Sequence, residues 1–191
     1  MLFIILFLSY LIGSIPFGFL LTKIFLKKDI SEIWSGNIGA TNALRTGNKL
    51  IGYSTLILDI SKAVILLLII KFNFSEYLFI SSIAVFLGHV FPIWLKFKGG
   101  KGVATYVGIL FCINIYLVIF FIVSWLIIFV LTKYSSLASM LSALFVPLTS
   151  YFLLGDNNYY FYIIFGLLIL ITHRENIKRL KNNTESKTKI Y

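Results

Sequence analysis

The sequence predicts an all-α integral membrane protein, a polytopic helical bundle of about seven transmembrane helices with its amino end outside and its carboxyl end in the cytoplasm. Three observations carry that prediction. The chain is 59% hydrophobic and 13% charged, against roughly 45–50% and about 25% in soluble domains, and its mean hydropathy is +0.95. Apolar runs long enough to cross a bilayer recur along it. Basic residues gather in alternate connections, which sets orientation by the positive-inside rule.

The first run, Leu2 to Thr22, is followed rather than preceded by Lys23, Lys27 and Lys28, so it reads as an uncleaved span and not a signal peptide. Ile51 to Ile70 then runs outward and Tyr77 to Leu95 returns. From Val103 to Ile171 the chain is apolar, with interruptions near Asn114, at Thr132 to Ser136 and at Gly155 to Asn158. Four further spans are expected there: Val103 to Leu117, Val118 to Leu131, Leu137 to Leu154, and Tyr159 to Ile171. This path puts fifteen of the 17 Lys and Arg residues, Lys189 among them, on the cytoplasmic side, leaving Lys62 within a span and Lys71 outside. Residues 1–180 form one transmembrane domain, and 181–191 read as a solvated basic tail. In such a chain the net charge of +10 reports orientation and attraction to anionic headgroups, not nucleic acid. Cys112, alone in an apolar run, has no disulfide partner and offers no metal site.

Three polar islands interrupt the apolar chain, and all fall on the cytoplasmic face of this topology. The first, Ser35 to Arg45, supplies Ser35, Gly36, Asn37, Thr41 and Asn42, and ends in an arginine whose planar fork suits phosphate oxygens. The second, Gly88 to Thr105, contains Lys98, Gly99, Gly100, Lys101 and Gly102. Glycines let backbone amides converge on an anion, lysines add charge, and a helix opening near Gly102 presents its positive end, with Thr105 in its first turn. The third, Thr172 to Leu180, adds His173, Glu175 and Asn176. Lys23, Lys27, Lys28, Lys178 and the tail read as orientation signals. His89 reads equally as a buried hydrogen-bonding group or a site residue. Asp59 and Lys62, three apart in mid-span, are either a structural ion pair or a place where Lys62 reaches substrate. Glu175 reads as a pin for the third island, through an arginine or the backbone.

These islands resemble the bacterial acyl-phosphate-dependent glycerol-3-phosphate acyltransferases, the PlsY family. Ser35-Gly36-Asn37-Ile38-Gly39-Ala40-Thr41-Asn42 with Arg45 is similar to its first motif. Gly88-His89 with Pro92 and Phe97 to Thr105 is similar to its second, and His173 with Asn176-Ile177 and Arg179-Leu180 to its third. Weaker similarity runs through Gly13 to Pro16, Asp59 with Lys62, and Ser135 to Pro147, covering roughly Tyr10 to Leu180. Thr172 stands where many members have arginine, and Ala63 where a glycine is usual.

The resemblance implies transfer of a fatty acyl group from acyl phosphate to the 1-hydroxyl of sn-glycerol 3-phosphate, giving lysophosphatidic acid and phosphate, the first step of phospholipid biosynthesis. It places that chemistry at the cytoplasmic face of the bacterial inner membrane, among membrane lipids. An acyl phosphate carries a good leaving group, so neither cofactor nor metal is expected; positioning and charge neutralisation carry the reaction. Ser35, Arg45, Lys101, His173 and Asn176 are the catalytic candidates. Gly36, Asn37, Thr41, Asn42, Lys98, Gly99, Gly100, Gly102 and Thr105 are the substrate-binding ones. The base is a substrate phosphate or His173, since neither histidine is followed by aspartate at the fifth position. Such a donor also suggests coupling to an enzyme that forms acyl phosphate. The competing function is a phosphate-ester transporter or lipid flippase.

Overall fold

The computed structural model describes residues 1–188; Lys189 and the rest of the expected tail lie outside the described residues. Ten α-helices account for most of the described chain: α1 Leu2–Gly13, α2 Phe17–Leu26, α3 Ala40–Leu44, α4 Lys49–Asn73, α5 Leu78–Val90, α6 Val103–Ile113, α7 Ile115–Thr132, α8 Ser135–Leu154, α9 Tyr159–Thr172 and α10 Arg174–Lys181. They group into two compact units, Met1–Ile113 and the chain from Asn114 onward.

Four helical stretches are long and apolar enough to cross a membrane: Leu2–Leu26, Ser75–Leu95, Ile115–Thr132 and Ser135–Leu154. Helix α4, 25 residues long and so about 37 Å, carries Asp59 and Lys62 midway. Helices α6 and α9 are shorter apolar helices. Large apolar side chains lie exposed along whole faces, as with Ile119, Ile122, Val123, Leu126, Ile127 and Val130 of α7. Such continuous apolar surface is what lipid covers.

Local chemistry sets the breaks. Pro16 keeps Ile15 out of the α region and ends α1, so the Leu2–Leu26 run is two helices joined by a bend. Asn48 caps α4, its side chain accepting from Ile51 N at 3.1 Å. Asn114 does the same for α7, accepting from Tyr116 N at 2.9 Å. The expected boundary at Leu117 and Val118 is therefore three to four residues late: the apolar run was divided by length, whereas the Asn114 cap decides where α6 ends and α7 begins. Lys133 and Gly155, both at positive φ, close α7 and α8.

In the first unit α1 packs on α5 with Gly13 and Gly88 at the crossing, where a Cβ at Gly88 would overlap Tyr10 O. Small residues allow this approach between membrane helices. Ile30, Ile38, Ala43 and Ile51 form a buried cluster beneath the first polar island, with Phe19 and Leu95 packed against it. In the second unit α8 packs on both α7 and α9. Gly88→Ala should lower stability by about 1–3 kcal/mol, read as an earlier thermal unfolding midpoint in detergent.

Candidate functional site

The first island is an irregular loop leading into the short helix α3. Asn42 is 2% exposed, and its Nδ2 donates to Ile33 O and Asn37 O at 2.9 Å and to Ile30 O at 3.2 Å. Its Oδ1 accepts from Ser35 N at 3.4 Å. The amide of Asn42 thus holds the loop together from within. Asn37 turns the chain, its Oδ1 accepting from Gly39 N at 2.8 Å. Gly36 adopts φ +67°. Ser35 lies exposed on this frame, and the Arg45 guanidinium sits 5.7 Å from the centroid of the Trp34 ring. Trp34, read as an interface anchor from its position alone, therefore also supports Arg45.

The second island folds back onto the end of α5. Gly99 N donates to Val90 O and Gly100 N to His89 O, each at 3.0 Å. A Cβ at Gly100 would overlap the His89 imidazole, and one at Gly102, which has φ +83°, would overlap the Phe86 ring. The sequence reading had the glycine amides converging on an anion. Those of Gly99 and Gly100 are instead spent on α5, and the glycines serve close packing. The groups that suit an anion lie just beyond. Helix α6 opens at Val103 with its first-turn amides unpaired within the helix. Thr105 is fully buried, and its hydroxyl has no hydrogen-bond partner among the described residues. Lys101 is half-buried and Lys98 exposed beside this end.

Beneath the loop lies a buried ionic cluster. Lys62 Nζ contacts Asp59 Oδ1 at 2.8 Å, Ile15 O at 2.9 Å and His89 Nδ1 at 3.0 Å. Asp59 is the ion-pair partner, and Ile15 O and His89 Nδ1 accept hydrogen bonds from the ammonium. In this structure Asp59 and Lys62 form a buried ion pair. His89 Nδ1 accepts from Lys62, which assigns the proton of the neutral ring to Nε2; the residue is 4% exposed and buttresses Gly100. His89 is thus buried and hydrogen-bonded.

In the second unit the chain bends at His173, between α9 and α10. His173 is 2% exposed, and its Nδ1 lies 2.8 Å from Ile169 O. A carbonyl only accepts, so Nδ1 carries a proton and the lone pair of the neutral ring is on Nε2. Asn176 Nδ2 donates to Glu185 Oε1 at 2.6 Å and Arg179 Nε to Glu185 Oε2 at 2.6 Å. Ser136 Oγ donates to Glu185 Oε1 at 2.7 Å. Burial pushes the Glu185 carboxyl up, but the bonds from Ser136, Arg179 and Asn176 outweigh it and hold the group below its ordinary value.

Two corrections follow. Glu175, expected to pin this island, is exposed and lies 3.9 Å from its neighbour Arg174, a surface contact that holds little; Glu185 is the pin. The segment after Lys181 is also not wholly solvated, because Glu185 docks and Thr188 N donates to Lys133 O at 2.9 Å. Sequence reasoning missed Glu185 and Ser136 as partners of the third island. The one available signal was a lone acid in a tail otherwise basic or neutral.

Removing one partner of a buried pair strands the other, at a cost of about 3–5 kcal/mol. Asp59→Ala should therefore destabilise the protein more than the double change Asp59→Leu with Lys62→Met, as measured by thermal unfolding. A double variant at least as unstable as Asp59→Ala contradicts this account of the cluster.

Residues 3–183 match the family described as Glycerol-3-phosphate acyltransferase. A glycerol-3-phosphate acyltransferase of Pelagibacter ubique (strain HTCC1062) is 66% identical over 184 residues, covering 96% of this chain and 95% of the relative. Crystal structures of PlsY (YgiH), an integral membrane glycerol 3-phosphate acyltransferase, superpose closely. The glycerol 3-phosphate form has TM-score 0.90 at 35% identity, covering 97% of this chain and 94% of that one. The lysophosphatidic acid form has TM-score 0.86 at 36% identity, with the same coverage of both chains. With its sequence matched almost end to end and its helices superposing on a solved membrane acyltransferase, the chain belongs to the glycerol-3-phosphate acyltransferase family.

Proposed function

We propose that the protein transfers a fatty acyl group from acyl phosphate to the 1-hydroxyl of sn-glycerol 3-phosphate at the cytoplasmic face of the bacterial inner membrane. The observation that carries this reading is the second island: a rigidly seated loop that delivers Lys101 and a buried, unpartnered Thr105 hydroxyl to the opening of α6. Lys101 and the first amides of α6 neutralise the donor phosphate. Arg45, set beside Trp34, holds the phosphate of glycerol 3-phosphate. Ser35, Gly36, Asn37 and Thr41 line that second phosphate, and Asn42 keeps them in place. Lys98 adds charge. An apolar cavity of about 390 Å³, lined by Ile15, Pro16, Phe19, Leu20, Trp94 and Leu95, suits the acyl chain.

In the transfer the glycerol hydroxyl oxygen attacks the acyl carbonyl carbon. The bond from that carbon to the phosphate oxygen breaks, and phosphate leaves with the electron pair. The hydroxyl proton passes to a substrate phosphate. An acyl phosphate is activated enough that no covalent enzyme intermediate is needed. A donor made elsewhere implies coupling to an acyl-phosphate-forming enzyme. A transporter would hold its ligand near mid-membrane, but the charged groups in the middle of α4 are spent on one another and on His89 and Ile15.

Arg45→Ala and Lys101→Ala should each reduce acyl transfer by at least about 100-fold, the scale of losing one preorganised charge at a reacting centre. Lys28→Ala, an exposed orientation lysine, should leave the rate unchanged. Purified protein should form lysophosphatidic acid and phosphate from acyl phosphate but not from an acyl thioester. Product from the thioester alone, or vesicle uptake of glycerol 3-phosphate without product, contradicts the proposal.

A further inference from the structure

We propose that Trp94 senses the length of the donor's acyl chain and passes it to the glycine and lysine loop, so that a filled apolar groove sets the position of Lys98 and Lys101. On the acyl-transfer reading, on which this rests, Trp94 is the residue that selects among donors. The groove has two walls. One is the α1–α2 bend with the start of α2, contributing Ile15, Pro16, Phe19 and Leu20; the other is Trp94 with Leu95. The first wall is anchored, since Ile15 O accepts from Lys62 Nζ at 2.9 Å and Pro16 is buried. The second belongs to a single helical turn, Ile93–Leu95. There the flat indole of Trp94 offers a large apolar face to a methylene chain.

A stiff link follows that wall. Lys96 and Phe97 both adopt positive φ, +51° and +63°, a conformation non-glycine residues seldom take, least of all a bulky aromatic. Such strain persists only where the surroundings fix it. Here Leu95 N and Phe97 N donate to Pro92 O at 3.1 and 3.0 Å, and Lys98 N donates to Leu95 O at 3.1 Å. The next residues, Gly99 and Gly100, are those bonded to the end of α5. Only Leu95, Lys96 and Phe97 separate Trp94 from Lys98, and the bonds on either side leave no slack. Leu95 also packs on the buried cluster of Ile30, Ile38, Ala43 and Ile51 beneath the first island. A chain that fills the groove therefore presses on a wall tied to both islands, whereas one too short leaves that wall bare. Binding energy from such a remote part of a substrate raises kcat, and truncated substrates lose it.

The test measures kcat and KM with palmitoyl phosphate and butyryl phosphate for the native protein, Trp94→Ala, Trp94→Phe and Phe97→Gly. Trp94 is 62% exposed, so its truncation opens no cavity in the core. The native protein should turn over palmitoyl phosphate about tenfold faster than butyryl phosphate, a modest share of the roughly 100-fold that a misplacement of about 1 Å costs. In Trp94→Ala the two donors should turn over at nearly the same rate, with KM for glycerol 3-phosphate unchanged. Trp94→Phe should keep most of the preference. Phe97→Gly, which loosens the link and leaves the groove residues in place, should lose the preference as Trp94→Ala does. An equal loss with both donors overturns the proposal, because it marks a merely structural residue. An effect confined to KM for palmitoyl phosphate also overturns it, marking a wall that binds the chain and positions nothing, as does a Phe97→Gly protein that keeps the preference. Native protein that transfers both acyl groups equally well overturns this inference alone; native protein that transfers neither overturns the acyl-transfer reading as well.

Discussion

Lys62 contacts groups from three parts of the chain: Asp59 one turn earlier in α4 as an ion pair, and, by hydrogen bonds, the Ile15 carbonyl at the α1–α2 bend and His89 near the end of α5. Each partner answers a problem set by the membrane. Pro16 breaks a helix inside an apolar run and frees a carbonyl that lipid cannot satisfy. A buried carboxylate is costly without a counter-charge. His89, placed against Gly100, needs a fixed ring if the loop above it is to have one conformation. One ammonium meets all three needs, and the geometry of the first unit radiates from it.

The glycine and lysine loop shows why that rigidity matters. Glycines at positions 99, 100 and 102 look like a flexible phosphate wrapper, yet their backbone is pressed onto α5, with two amides bonded to α5 carbonyls. Their effect on an anion is indirect. They bring the start of α6 and Lys101 close to the buried cluster, where a fixed dipole and charge need no reorganisation during reaction.

Much of this was legible in the sequence. The four long apolar helical stretches follow from apolar length, and the polar islands from glycine, amide and lysine spacing; the sequence reading ran Leu2 to Thr22 as one span and passed over the break at Pro16. The Asp59 and Lys62 pair follows from its i, i+3 spacing. Their partner His89 was not legible, because it is 27 residues from Lys62 and sequence distance carries no information on helix neighbours. Asn42 was read as a ligand residue since an amide beside glycines serves loop closure and ligand binding alike. Residues 181–188 were read as solvated because polar composition forecasts no core, and Glu185 docks by hydrogen bonds alone.

The second unit repeats the theme with a carboxylate in place of an ammonium: Glu185 gathers donors from α8 and α10 as Lys62 gathers acceptors from α4, α5 and the α1–α2 bend. The central claim is that the buried cluster is scaffold and Lys101, at the opening of α6, is the phosphate partner. A crystal structure of the protein with a hydrolysis-resistant acyl phosphonate tests it most directly. The account predicts the phosphonate against Lys101 and the first amides of α6, with the Asp59–Lys62 contact still closed. A phosphonate held by Lys62, with that contact open and Lys101 turned away, would contradict it.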